Sequence, residues 1–560
     1  MFIVFEGIDG SGKTTLSNRV ARELRRAGLT VRHVREDGRL ASPVSEGLRR
    51  FTRDPLHLAL TPVAELLLYA AREAQLLEEV TRPALAEHDV VIADRFLYTA
   101  EVLARFGRGL PEAEVRSVLD TCQRGLHPDR VFLIDVDPAI ARARRRASKL
   151  LAKDRSTPSR KGLTGAGLQA RLRAGYRALA AASPERWSII DNTDVPLEEQ
   201  VTRLVEDVLR VRRGEAPLHA AGLTRPKVPV RSLAEARGRF LARLDGWTVD
   251  EPGLAAWFLA GLEGQDVEAR RALLAERCPE LIAHGLSGLT HPAAWEWRHR
   301  LEAAAPEQVL ESLTDGASDA PAAWHLRERW ETRAPEAVAA SLTSLDSERA
   351  WLMRDRLSRA APEPVVVSLS GLDSPRAWDE RWRWLSSRGG DAAFADEGVA
   401  RALCRSLRGV DSERAWEWRE RAMAVAPDAV LRSLEGLDSP RAWALREQHA
   451  ARAPKAVIGS LTGLDVPAAW RLRETFGVTC EEVLDSLTGM DVPAAWKLRT
   501  ALADTWPSAT VKSLGLLATT ARGQALTLEL LERHPHDFAL LRQAARTASQ
   551  LEQEPRHGVA

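Results

Sequence analysis

Tyrosine, cysteine and methionine are scarce in this 560-residue chain, which holds three, four and four of them. The four cysteines, Cys122, Cys278, Cys404 and Cys480, stand too far apart for metal-ligand spacing. That excludes a zinc ribbon or a disulfide scaffold and leaves reduced thiols. Net charge is scarce too: +1 with 28% charged residues, so no global basic field marks a nucleic-acid binder. No apolar run approaches the ~20 residues of a membrane span, and the apolar stretch 2–5 is too short for a signal peptide. The expectation is a cytoplasmic protein with no membrane segment.

What is present divides the chain. All three tyrosines precede residue 212, while sixteen of seventeen tryptophans follow it. Two architectures are joined, with Gly214, Pro217, Pro226 and Pro229 breaking any helical pattern between them. The division expected is 1–212, a linker 213–231, a helical region 232–545 and a disordered tail 546–560.

The first part opens with an apolar run, Phe2 to Phe5, followed by Gly7-x-x-x-x-Gly12-Lys13-Thr14. This is the spacing of a phosphate-binding loop between a strand and a helix. Gly7, Gly10 and Gly12 let successive N–H groups converge with Ser11, Thr14 and Thr15 on a di- or triphosphate at a helix N-terminus. Lys13 would bridge the β- and γ-phosphates of ATP, and Thr14 would hold Mg²⁺. Further strand-like runs at 31–34, 90–93, 131–136 and 187–190 alternate with amphipathic stretches. They predict a five-stranded parallel sheet covered on both faces. Ligands of such sheets sit beyond the carboxyl ends of the strands. Asp94 and Arg95 stand there, the carboxylate suited to the magnesium shell and the guanidinium to an acceptor phosphate, and Arg35 and Glu36 follow the second strand. A basic cluster after the fourth strand offers lid candidates: Arg142, Arg146, Arg155, Arg160 and Lys161.

Residues 2–15, 66–85, Asp94-Arg95-Phe96 and Phe106-Gly-Arg-Gly-Leu110 together resemble the thymidylate kinases. The resemblance implies an α/β P-loop nucleoside monophosphate kinase using Mg-ATP. In it Asp9 would hold the sugar 3′-hydroxyl, Arg95 the acceptor phosphate, and Lys13, Asp94, Arg95 and a lid arginine such as Arg155 would serve catalysis. It also implies that a homodimer is one arrangement to expect. Laid against the family pattern without gaps through Pro83, Tyr69 falls where a ring stacks on thymine. Glu73 falls where an arginine donates to the base, with Arg72 one place early. Thr99 stands for a serine, Leu103 for a tyrosine that crowds out a 2′-hydroxyl, and Ala104 for a base-pairing glutamine. A carboxylate accepts from an exocyclic amine and repels a carbonyl. Two readings follow: an acceptor other than thymidylate, or Arg72 or Arg105 supplying the missing donor.

From residue 232 a phrase of the type Ser-Leu-x-Gly-Leu-Asp-Ser-Pro-Arg-Ala-Trp recurs. It returns around Trp295, Trp324, Trp351, Trp378, Trp416, Trp443, Trp470 and Trp496. The usual spacing is ~27 residues, with one insertion after Leu385 that reads as a protruding loop. Each unit predicts a helical hairpin with one apolar face, and stacking them gives an all-α solenoid. Arg follows each Trp by three, and Asp precedes it by five in seven of eight units. The arrangement expected is Arg stacked on Trp and paired with a neighbouring Asp; the alternative is an arginine stripe for an acidic partner or nucleic acid, which the neutral charge weakens. The array would bind a protein partner or assemble the enzyme. A nucleotide-sensing scaffold is the rival to an enzyme.

Overall fold

The computed structural model describes residues 1–36, 40–52, 60–152, 166–193, 196–217 and 229–553. Two compact units emerge, Met1–Lys227 with Asp245–Leu254, and Val228–Leu244 with Ala255–Ala560.

In the first unit the strands are β1 (Phe2–Glu6), β2 (Val31–His33), β3 (Val90–Asp94), β4 (Arg130–Asp135) and β5 (Trp187–Asp191). They form one parallel sheet in the order β2-β3-β1-β4-β5. Ile3, Phe5, Ile92, Phe132 and Ile134 are fully buried and pack against Leu16, Val20 and Leu24 of the helix Lys13–Arg26 and against Leu204 and Val208 of Leu197–Arg212. Burial of each such side chain contributes about 1.5–3 kcal/mol. At the carboxyl edge every strand ends on a polar residue: Glu6, His33, Asp94, Asp135 and Asp191. The hydrophobic effect thus fixes the sheet, and the sheet fixes where these groups point.

The second unit is helical hairpins. Trp-bearing helices such as Glu348–Leu357 and Pro375–Ser387 alternate with short helices such as Pro335–Ser341 and Pro362–Val367. The short helices stack on one another in sequence. Pro375, Pro440 and Pro467 stand in the first turn, where a missing N–H costs no hydrogen bond.

Within the repeat the predicted Arg–Trp stack is present, with guanidinium carbon 4.5–5.2 Å from the ring centre in all eight units. The predicted Arg–Asp pair is not. Each Asp instead accepts from the indole Nε1 of its own unit at 2.7–2.9 Å, in seven units. The eight arginines are 0–1% exposed, which removes the stripe for an acidic partner. Their Nε atoms donate to a serine hydroxyl at 2.9–3.1 Å, and their terminal nitrogens to backbone carbonyls. Arg354, for example, reaches Leu345 O, Leu342 O and Ser368 O at 2.7, 2.7 and 3.3 Å. That serine begins the Ser-Leu-x-Gly-Leu phrase, so each arginine ties its Trp helix to the following short helix. Burial pushes the guanidinium pKa down to about 10 in Arg298, Arg354 and Arg446, still well above neutrality.

Two further expectations are corrected. The insertion after Leu385 is packed rather than protruding: a 3₁₀ turn, Gly390–Ala395, buries Ala393 and Phe394 against Trp418. Residues 546–553, expected in the disordered tail, are helical: the last helix runs Phe538–Gln553 and buries Ala544, Ala545 and Ala548, and residues 554–560 lie outside the described residues.

Candidate functional site

The loop between β1 and the helix Lys13–Arg26 turns through Gly7, Gly10 and Gly12, all at positive φ. A Cβ on Gly10 would run into the carbonyl of Ala141, and one on Gly12 would lie 2.5 Å from Asn192 Nδ2, which itself donates to Ser11 O at 2.7 Å. Close approach of backbone is what demands glycine there. Lys13 is buried and donates to Ile8 O at 3.1 Å. Burial, with Arg95 nearby, lowers its pKa to about 8 against the pull of Asp9, Asp94 and Glu6. Thr15 lies exposed on the first helical turn.

At the end of β3, Asp94 is buried and its Oδ2 accepts from Thr14 Oγ1 at 2.5 Å. Arg35 Nη1 stands 3.6 Å away. Burial alone would raise the Asp94 pKa; Arg35, Lys13, Arg95 and the Thr14 hydroxyl outweigh it and hold the carboxyl below its ordinary range. Its Oδ1 and the Ser11 hydroxyl are buried without a hydrogen-bond partner. The orphan Asp94 oxygen, with the Thr14 hydroxyl beside it at a phosphate cradle, fits Mg²⁺, which typically takes one or two protein oxygens and completes its shell with water and phosphate. No cluster of three or more His, Cys, Asp or Glu able to hold a metal occurs among the described residues.

Arg95 follows at φ 83°, a left-handed conformation strained for arginine. It is held there from several sides: Nη1 donates to Gly7 O, Thr99 Oγ1 and Tyr176 Oη at 3.2, 3.0 and 3.2 Å, and Nη2 pairs with Asp9. Burial works against its charge, and Asp9, Tyr176, Glu6 and Asp94 overcome this and raise its pKa. Beyond it a pocket is lined by Asp9, Arg35, Arg49, Tyr69, Arg72, Glu73, Asp94, Arg95 and Thr99. Four guanidinium groups against three carboxylates make it a receptor for a small anion. Arg49, Glu6 and Tyr176 were not singled out from the sequence. Glu6 was legible as the last strand residue before the loop; Arg49 and Tyr176 come from helices with no motif.

The base-reading side comes from the helix Pro62–Leu76, which is followed by a π turn, Leu77–Thr81, and the helix Arg82–Glu87. Tyr69, Arg72 and Glu73 of that first helix all line the pocket. Glu73 is half engaged as an acceptor: Arg72 Nε donates to its Oε1 at 2.9 Å, and Nη2 donates to the same oxygen. The Arg72 guanidinium lies 4.7 Å from the Tyr69 ring centre. Arg105 is engaged by Glu101 and Glu112 and stays out of the pocket. Val102, Leu103 and Ala104 are buried, Leu103 walling a second recess with Asp9, Arg95, Thr99 and Tyr176. Glu36 is exposed and pairs with Arg25 at 2.7 Å. Arg142 and Arg146 lie on the helix Pro138–Leu151, whose Ala141 abuts Gly10. Arg155, Arg160 and Lys161 lie outside the described residues.

His33 sets Arg35. Its Nδ1 accepts from the Arg35 amide at 3.1 Å, so the proton sits on Nε2, 3.0 Å from Ser17 Oγ. Burial depresses the ring pKa from 6.5 to about 4. The fold holds the neutral ring, a contribution present above about 6.5 and lost as pH falls to 4, worth ~3 kcal/mol. Hydrogen exchange of β2, corrected for intrinsic rates, should lose protection across this window, and His33→Asn should flatten the loss. An unchanged slope in that variant would refute the assignment.

A thymidylate kinase family model matches residues 5–204. The thymidylate kinase of Trichlorobacter lovleyi is 37% identical over 214 residues, 38% of this chain and 98% of that protein. That of Geobacter sulfurreducens is 38% identical over 209 residues, 37% of this chain and 95% of that protein. A crystal structure of thymidylate kinase from Ehrlichia chaffeensis aligns at 25% identity and a TM-score of 0.28, covering 37% of this chain and 98% of that one. None of these three similarities extends far beyond the first unit. Among the described residues no helix is long and apolar enough to cross a membrane.

Proposed function

This chain belongs to the thymidylate kinase family and is a nucleoside monophosphate kinase that uses ATP, and we propose that its preferred acceptor is thymidylate. The observation that carries this is the Arg72–Glu73 fork. Arg72 lines the pocket with Nε and Nη2 on Glu73 Oε1; no hydrogen bond of its Nη1 occurs among the described residues, and that nitrogen would be the donor offered to the base. A donor suits the thymine carbonyl oxygens and disfavours the cytosine amine.

Arg95, Arg35 and Arg49 would hold the acceptor phosphate, Asp9 the sugar hydroxyl, and Tyr69 the base. Lys13, Ser11 and the loop amides would hold ATP. Thr14 and Asp94 would hold Mg²⁺, which when bound neutralises charge on the phosphates. Arg142 and Arg146, with the lid residues Arg155, Arg160 and Lys161, would supply positive charge on the ATP side. Catalysis then consists of aligning donor and acceptor and neutralising charge during transfer. The helical unit would serve partner binding or assembly, in a cytoplasmic enzyme.

A panel of monophosphates tests the proposal with the full chain. Thymidylate should exceed cytidylate and deoxycytidylate in kcat/KM, and Arg72→Ala should cut the thymidylate value ~10–100-fold through loss of a charged hydrogen bond. Preference for a cytosine monophosphate would overturn the reading in favour of Glu73 as the base acceptor.

A further inference from the structure

The repeats contain their own template for a binding site. In five units the conserved indole is 4–6% exposed: Trp324, Trp351, Trp378, Trp416 and Trp496. Four of these carry a second guanidinium besides their own buried arginine, and it comes from further along the chain. Arg349 lies 4.9 Å from Trp324, Arg376 5.0 Å from Trp351, Arg414 4.9 Å from Trp378 and Arg522 4.0 Å from Trp496. The first three stand two residues before the tryptophan of the next unit. Arg441 occupies the same place after Trp416 and pairs with Glu413 at 2.8 Å.

In two units a carboxylate four residues after the indole is bound by the capping arginine as well; after Trp416, with Glu420 in that place, Arg441 pairs with Glu413 instead. Arg349 reaches Glu328 at 2.6 Å and Arg376 reaches Asp355 at 2.9 Å. One turn of helix puts the i and i+4 side chains on the same face, so ring and carboxylate form a two-part receptor for a guanidinium. The ring attracts the cation, and the carboxylate orients it.

Two adjacent units keep the receptor and lack the cation. Trp443 with Glu447, and Trp470 with Glu474, are followed by Ala468 and Ala494 at the position that holds arginine elsewhere. Both tryptophans are only partly buried, unlike the five above, and both glutamates are exposed. No ion pair of Glu447 or Glu474 occurs among the described residues. Each indole is already fixed: Nε1 donates to Asp438 or Asp465 at 2.7 and 2.8 Å, and the unit's own arginine lies 4.6 Å from the ring. Trp295 is also partly buried and followed by Ala322, but His299 stands where the carboxylate would be, so it lacks half of the receptor.

We propose that Trp443–Glu447 and Trp470–Glu474 form a paired docking site for two arginine side chains of an extended segment of a partner protein. Those arginines take the place that Arg349 and Arg376 take within the chain. The inference deepens the partner-binding reading of the helical unit and rests on it.

The test uses the full chain and fluorescent peptides carrying two arginines at graded spacing in a glycine-serine background, read by anisotropy. One spacing should bind best, and replacing its arginines by citrulline, which removes charge at nearly constant shape, should abolish binding. A468R with A494R fills both receptors from within, as other units do, and should lower affinity at least tenfold while leaving the fold intact. E447Q and E474Q, both at exposed positions, should each lower it about threefold; they decide the matter if the double arginine variant fails to fold. Absence of binding at every spacing, equal binding of the citrulline peptide, or unchanged affinity in A468R/A494R would overturn the site. Concentration-dependent self-association of the full chain with no arginine-peptide binding would leave the assembly reading standing and end this one.

Discussion

Asp94→Asn should lower kcat by about 10³-fold or more, some 4 kcal/mol of transition-state stabilisation, while both nucleotides still bind. The side chain is buried at the end of β3, one oxygen receives the Thr14 hydroxyl at 2.5 Å, and the other has no protein partner. An amide keeps the shape and removes the negative charge that Mg²⁺ and Arg35 are matched to. Thr14→Val should raise the magnesium concentration needed for half-maximal rate, and Thr14→Ser should restore it, because serine returns the hydroxyl without the methyl. The fold should survive Asp94→Asn, since the register of β3 with β1 and β2 depends on backbone pairing. Turnover by Asp94→Asn within tenfold of the parent, at saturating magnesium, would remove Asp94 from the metal site and leave Lys13 and the loop amides to carry phosphate activation alone.

The parts of this site legible in the sequence are those that local chemistry dictates. A glycine loop between a strand and a helix has few other uses, and Asp94–Arg95 after an apolar run lies at a carboxyl edge by topology. Groups assembled from distant helices gave no such signal: Arg49 of Pro43–Phe51 lines the acceptor pocket and Tyr176 of Ala166–Ala182 the second recess, far in sequence from the loop they serve. The π turn at Leu77–Thr81 was invisible because a one-residue widening leaves hydrophobic periodicity almost unchanged. In the repeats, the Trp–Arg stack followed from i, i+3 spacing. The misassigned partner of Asp had a general cause. Opposite charges invite pairing on paper, whereas in the folded unit the indole N–H donates to the carboxylate and the arginine turns inward to backbone carbonyls at the ends of the short helices.

That inward turn makes Arg354, like its counterparts in the other units, a stability lever in the second unit. Arg354→Met retains much of the apolar volume but takes away the donor to Leu345 O and to the Ser368 hydroxyl, and one of two donors to Leu342 O and Ser368 O, which keep the amides of Leu345 at 3.1 Å and Ser344 at 3.0 Å. An unsatisfied buried acceptor costs ~1–3 kcal/mol and the loss of a second donor less, partly offset by no longer burying a charge, so a net loss of about 2 kcal/mol is expected. Lysine should not rescue it, because an ammonium cannot span acceptors set in a planar fork. By contrast, Asp346→Asn should cost under about 1 kcal/mol, since the amide oxygen still accepts from Trp351 Nε1, now 2.8 Å from the carboxylate. The pair of variants separates two architectures. Were Arg354 held by Asp346, neutralising the aspartate would strand a buried charge and cost several kcal/mol. Because stacked repeats are stabilised through nearest-neighbour contacts, loss of this tie between the helices Glu348–Leu357 and Pro362–Val367 should also split denaturant unfolding of the array into two transitions. Equal destabilisation by Arg354→Met and Asp346→Asn, or a single unshifted transition in Arg354→Met, would refute the carbonyl ladder as what holds the hairpins together.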